Sequence, residues 1–250
     1  MMKIIRNKTL WGTIIVLLLW YILSVSIGTN LVPNPYDTMI NFMKIFPDKL
    51  IFHIIASGKR IIGALVVALS IGVTIGLWLG LSEKVNEVLN PVVYALYPIP
   101  KVAFLPIFMI IFGLGDLAKI IFIATVIIFQ IIVTTRDAAK DMPKELVLSV
   151  KSLGLSKYEV YTNLVIPYIL PNLFSTLRIT IGMTMAALFF GENFATTYGL
   201  GYFVMNSWSM VSYLDMFSGI VALSIMGVVL FKLIDIGERK LCPWMTLNKE

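Results

Sequence analysis

Charge is what this 250-residue sequence has least of. Asp, Glu, Lys and Arg together make up 14% of the residues and hydrophobic residues 58%, whereas soluble domains carry about 25% charge. So few charges cannot clothe a water-facing surface, which excludes a soluble globular domain. There is one cysteine, Cys242, and one histidine, His53, so no internal disulfide and no Cys/His cluster at metal-ligand spacing can form. A structural metal and a Cys-His nucleophile are therefore not expected, and Cys242 reads as an incidental thiol. A G-x-x-x-x-G-K-[ST] phosphate loop is also missing, so no nucleotide is expected on this chain. The formal charge of +6 does not point to nucleic acid, because the basic residues are strung along the edges of apolar runs instead of clustering with aromatics.

Long apolar runs are what is present. Six are expected to cross a bilayer: Leu10–Gly28, Ile61–Leu81, about Pro91–Gly113, Leu117–Thr135, about Asn172–Phe190 and about Met216–Ile234. Each approaches the ~20 residues needed to span a ~30 Å hydrocarbon core. The expected fold is all-α, a polytopic membrane protein with about six transmembrane helices. It forms a single membrane domain over 1–250, since no room remains for a separate catalytic domain of ~100–150 residues. The first run follows Lys3, Arg6 and Lys8 as a signal peptide would, but it exceeds the usual 7–15-residue apolar region and ends at Asn30 and Pro33-Asn34-Pro35 without a small-x-small site. It is read as a retained helix. Met39–Ile55 is amphipathic and broken at Pro47, and is expected to lie along the membrane surface.

Two runs carry further instructions. Gly72, Gly76 and Gly80 recur every four residues, leaving one helix face bare for close approach by another helix, and this face is also read as support for a dimer. Pro98, Pro100 and Pro106 remove backbone donors, so the third run should be a broken helix, tolerable only where protein or a watery cavity satisfies the freed carbonyls. Orientation follows from the flanks. Segments 1–9, 82–90, 136–171 and 232–250 hold thirteen Lys and Arg, against four in 29–60, 114–116 and 191–215, which places both termini in the cytoplasm.

The stretch from Arg136 to Pro171 is the most specific. Pro143 suits a first helical turn, and Leu146, Val150 and Leu153 share a face. Gly154 supplies a left-handed C′ position, and Ser156 with Glu159 has the spacing of a capping box. The product is a rigid two-helix elbow over 141–166, with Pro167 and Pro171 expected to stop its second helix.

Glu145 through Ser156, followed by Val165-Ile166-Pro167 and Leu170-Pro171, resembles the EAA loop of ABC-transporter permeases of the binding-protein-dependent importer type. Tyr97-Pro98-Ile99-Pro100, Leu105-Pro106, Ile111-Phe112-Gly113-Leu114-Gly115, Leu177-Arg178-Ile179 and Gly199-Leu200-Gly201-Tyr202 are similar to its nitrate/sulfonate/taurine branch. One departure stands out: Leu148-Ser149-Val150 occupy the Glu-Ala-Ala positions, which puts any charge contact from there in doubt. The resemblance implies a type I ABC importer permease architecture with a core over about 57–240. It implies that Glu145, Ser149, Lys151, Ser152, Leu153, Gly154, Leu155 and Ser156 couple the chain to two separate ATPase subunits, which bind the ATP. The further partners implied are a second permease copy as a homodimer, an extracytoplasmic binding protein and the lipid bilayer of a bacterial or archaeal cell membrane. Implied substrates are nitrate, a sulfonate or taurine; a pyrimidine or thiamine precursor is the alternative, and a stand-alone secondary carrier a further one, although no internal repeat is visible for it.

Polar residues within the runs are candidates for the translocation path. They are Lys101, Gln130, Arg178, Glu192 and Asn193, together with the backbone exposed at Pro98 and Pro100. Lys101 and Arg178 could instead snorkel to the interface, and Gln130 could bond between helices. Glu192-Asn193 is read as the outer gate.

Overall fold

The computed structural model describes residues 2–28 and 31–247, without the side chains of residues 2–9, 151, 246 and 247. Asn30 and Lys249 therefore lie outside the described residues, as do the side chains of Lys3, Arg6 and Lys8. Every regular element among the described residues is helical: α1 (Met2–Ile27), α2 (Pro35–Ile45), α3 (Ile51–Leu81), α4 (Glu83–Leu96), α5 (Leu105–Phe112), α6 (Asp116–Lys140), α7 (Lys144–Ser152), α8 (Lys157–Val160), α9 (Ile166–Glu192), α10 (Leu200–Ser209), α11 (Tyr213–Leu241) and α12 (Trp244–Leu247). Among the described residues, five runs are long and apolar enough to cross a membrane: Leu10–Ile27, Pro35–Leu81, Asp116–Lys140, Lys157–Glu192 and Tyr213–Leu241. The pair Glu83–Leu96 and Lys101–Phe112, bent by 86°, makes a sixth where it is counted as one span, and the break falls at the prolines, as expected.

Two expectations about proline are corrected. Helix continues from Pro35 to Leu81 straight through Pro47, so Met39–Ile55 is not broken there and forms the first part of one long helical run. The backbone opens into a wider turn over Phe46–Leu50, where the Ile51 N–H reaches the Phe46 carbonyl five residues back. Likewise Pro167 and Pro171 do not stop the elbow's second helix. A wide turn over Tyr161–Val165, closed by the Ile166 N–H on the Tyr161 carbonyl, precedes Pro167, and α9 runs on to Glu192 with Pro171 inside it. A proline lacks the donor and its ring crowds the carbonyl four residues back; a five-residue turn eases that crowding without ending the helix.

The chain divides into two compact units, one holding the residues through Ser57 with Glu192–Ile225, the other Gly58–Gly191 with Met226 onward. In the first, Asn41 of α2 donates to Asp215 (2.8 Å) and Ser218 (3.0 Å) of α11, and α10 lies so close to α11 that a Cβ at Gly219 would come within 2.8 Å of Phe203. In the second, the glycine face of α3 is filled by α6. A Cβ at Gly72 would stand 2.8 Å from Ile131, at Gly76 2.6 Å from Thr135, and at Gly80 2.6 Å from Ala139. Because α6 of the same chain uses this face, the glycines are no argument for a dimer. Arg136, 6% exposed, ties α6 to α4 by donating to Asn90 and to the Tyr94 hydroxyl at 3.1 Å.

Candidate functional site

Three places collect the residues singled out in the sequence. The first is the elbow. Gly154 has φ of +75°, the left-handed conformation that lets the chain turn sharply after α7. Ser156 and Glu159 form the reciprocal box: the Glu159 N–H donates to Ser156 Oγ at 3.3 Å and the Ser156 N–H to Glu159 Oε2 at 2.8 Å. Ser149 Oγ donates to the Glu145 carbonyl and Ser152 Oγ to that of Ser149, both at 2.8 Å. These bonds satisfy polar groups within the elbow itself. Lys151 lies on α7 with its side chain outside the described residues.

The packed face of α7 differs from the expected one. Val147 and Val150 rest on a buried cluster that includes Leu77, Ala138, Ala139, Met142, Leu164 and Ile169, while Leu146, Leu148 and Leu153 stay exposed, Leu153 at 75%. Leu155 is half-buried and Tyr158 exposed. Positions 147 and 150 point more directly inward than 146 and 153, which sit at the stripe's edge. The elbow is thus anchored by valines and presents leucines outward.

The second place is the bend between α4 and the Lys101–Phe104 turn. Pro98 and Pro100 lie exposed on it. Lys101 donates from Nζ to the carbonyls of Leu96 (2.8 Å) and Tyr97, and its ammonium sits 4.6 Å from the centre of the Phe129 ring. These carbonyls lie at the C-terminal end of α4, where the Leu96 carbonyl also accepts from the Ile99 N–H at 3.3 Å, and a cation there suits the helix dipole. Gln130 accepts from the Tyr97 hydroxyl. Lys101, Gln130, Tyr97, Phe129 and Met183 line a common cavity of about 180 Å³.

The third place is the N-terminus of α10. Glu192 has no exposed surface; it accepts from Ser57 Oγ at 2.7 and 2.9 Å and from the Gly201 N–H at 2.8 Å. Ser57 Oγ in turn accepts the Leu200 N–H at 2.8 Å, and His53 Nδ1 meets the Gly199 backbone at 2.9–3.0 Å. A helix start leaves its first N–H groups without intrahelical partners, and here three side chains from outside α10 serve them, one of them an anion favoured by the dipole. Asn193 follows, half-buried. Arg178 belongs to none of these places: it is bound to Asp235 (2.8 Å) and Glu238 of α11. The structure therefore brings Lys101 and Gln130 together beside Pro98 and Pro100, and sets Glu192 in the other unit.

Sequence reasoning missed Ser57 as the partner of Glu192, and Tyr97 as the partner of Gln130. One signal was available, since His53 and Ser57 stand four residues apart on one face of α3.

Apolar helices broken once by prolines and joined by a capped elbow define a multi-pass membrane transport subunit. A family match, described as the binding-protein-dependent transport system inner membrane component, covers residues 72–246, and the chain belongs to this family. It is the permease component of a binding-protein-dependent ABC importer, in the nitrate/sulfonate/taurine branch. The taurine transport system permease protein TauC of Escherichia coli is 29% identical over 93% of this chain and 88% of its own length. The nitrate import permease protein NrtB of Synechococcus elongatus is 26% identical, over 78% and 74%. In fold, the chain is similar to a structure of the MetNI methionine ABC transporter in inward-facing conformations, with a TM-score of 0.56 and 19% identity over 73% of this chain and 93% of that one.

Proposed function

We propose that residues 1–250 form one permease domain that lines the path of an ATP-driven importer, with both termini in the cytoplasm. Two separate ATPase subunits hold the ATP and dock on the elbow, a second copy of this chain completes the path, and an extracytoplasmic binding protein delivers the solute. One observation carries this reading: an elbow made rigid by Gly154 and the Ser156–Glu159 box is seated on its own bundle through Val147 and Val150, yet leaves Leu146, Leu148, Leu153 and Tyr158 exposed. An apolar surface of this kind, on a segment whose own polar groups are bonded, fits a groove in another protein. The basic asymmetry between flanks puts it on the cytoplasmic side. Within the path, the turn at Pro98–Pro100 with Lys101 and Gln130 is the part that meets the solute, because it combines a cavity with polar side chains. The solute class follows the relatives, a small sulfonate, taurine or nitrate, with a pyrimidine precursor as the alternative from sequence.

The test is Gly154→Val. Nothing lies within 4 Å of a Cβ at this position, so the cost is backbone strain alone, on the order of 1–2 kcal/mol. Expression of the permease should hold while co-purification of the ATPase and uptake fall, and Gly154→Asn, which tolerates the left-handed conformation, should restore both. Normal co-purification and uptake in Gly154→Val would remove the docking role from this segment.

A further inference from the structure

A cavity of about 370 Å³ opens in the first unit. Its walls come from the wide turn and start of α3 (Asp48, Lys49, His53), from α10 (Tyr202, Asn206) and from the first turn of α11 (Asp215). That volume is typical of small-molecule sites, which combine apolar or aromatic walls with a few polar groups. The aromatic wall is continuous: the His53 ring lies 5.1 Å from Phe203, 5.6 Å from Tyr198 and 6.1 Å, stacked, from Tyr202.

Three polar residues there keep a group for a ligand. His53 is 9% exposed and its Nδ1 is taken by the Gly199 backbone, so whichever tautomer forms, Nε2 is the ring nitrogen left for the cavity. Asp48 and Lys49 are exposed and have no ion-pair partner among the described residues. Asp215, by contrast, is held by Asn41 through Oδ1. The fixed charges on the wall are thus two carboxylates against one ammonium. A bare inorganic anion would meet net repulsion. An ammonium would be attracted both by the carboxylates and by the aromatic faces, and a neutral aryl amine would donate to a carboxylate while its ring stacks on the aromatic wall.

We propose that this cavity binds a small solute bearing an amino group, the amine toward Asp48 and the aromatic wall, and the far end toward Lys49 and His53 Nε2. The assignment rests on the importer reading, under which segments 29–60 and 191–215 face the side from which solute arrives, and it narrows the solute class. Two chemistries share the amine, an aminoalkanesulfonate zwitterion and an aminopyrimidine.

The experiment is calorimetric titration of the full-length permease in lipid nanodiscs with taurine, 4-aminopyrimidine, ethanesulfonate and nitrate. Taurine or 4-aminopyrimidine should bind at least tenfold more tightly than the two probes lacking an amine, and Asp48→Asn should weaken that binding about tenfold. Lys49→Gln separates the sources: it should weaken taurine and leave 4-aminopyrimidine unchanged. Equal binding of ethanesulfonate or nitrate, indifference to Asp48→Asn, or no binding of any probe would overturn the proposal. ATP-driven uptake in the complex with its ATPase is read separately. Wild-type uptake in Asp48→Asn would sink the cavity and leave the importer standing, whereas failure to associate with any ATPase would sink the importer reading without altering the titrations.

Discussion

Replacing Glu192 by Gln separates a structural carboxylate from one that meets solute. In the wild-type chain this carboxylate has no exposed surface and accepts from Ser57 Oγ and the Gly201 N–H, while Ser57 Oγ accepts the Leu200 N–H. Gln keeps one carbonyl oxygen for Gly201, but its amide would face Ser57 with donors, and the serine hydroxyl would lose its acceptor. A hydrogen bond to a charged group contributes about 1.5–3 kcal/mol, and leaving a buried donor unmade costs about 1–3 kcal/mol. Loss of the anion at the α10 N-terminus adds about 0.3–1 kcal/mol. Because the first two figures describe the same lost bond and count once, the expected destabilisation is about 2–4 kcal/mol, a large share of a typical 5–15 kcal/mol. Reversible unfolding in mixed micelles, read for the wild type, Ser57→Ala, Glu192→Gln and the double variant, gives the value and the coupling. Once Glu192 is neutral, removing the Ser57 hydroxyl should cost at least about 1 kcal/mol less than it does in the wild type. Additive effects within about 0.5 kcal/mol, or wild-type stability with uptake abolished, would refute this account and return Glu192 to the path.

The close approach of α3 and α6 predicts an order of damage. Gly76→Ala should cost about 1–3 kcal/mol, because its Cβ would stand 2.7 Å from the Ile132 carbonyl oxygen, whereas Gly72→Ala should cost less, since it meets the Ile131 side chain, which can shift; thermal unfolding in detergent ranks them. For topology, impermeant thiol reagent applied from outside should label Thr197→Cys and not Ser152→Cys, and labelling of the latter in sealed cells would reverse the orientation. Cys242 should give little background in that assay: it is 1% exposed, and burial together with the nearby Glu238 raises its thiol above the ordinary range, keeping it protonated at neutral pH. Rapid alkylation of Cys242 in the native protein would contradict its burial.

The apolar runs and the elbow were legible because their causes are local. A ~20-residue run, a glycine in the C′ position and an S-x-x-E box act within a few residues, and their sequence neighbours determine the outcome. Proline at 47 and 167 was misread for a related reason. The rule that proline ends a helix assumes a fixed four-residue bond pattern, and the backbone escaped by widening one turn at each place. The glycine face was legible as a close contact but not as to its partner, because the choice between α6 and a second copy depends on the tertiary arrangement.

Listing polar residues within apolar runs also collects groups that are bound inside the protein. A charge withdrawn from water needs a partner of its own, and the chain supplies it at two places: Asp235 and Glu238 for Arg178, and Ser57 and Gly201 for Glu192. The Ser57–Glu192 pairing bridges 135 positions in sequence, so no local pattern announces it. Groups that remain unsatisfied sit instead at the edges of the runs. There water pays for their charge in the empty state and a solute can replace that water, as for Asp48, Lys49 and His53 Nε2. Such residues look ordinary in sequence, since a charged pair beside a proline at the head of a span is what any span needs for orientation. They become a candidate binding surface only when the fold brings α10 and its aromatic wall against them.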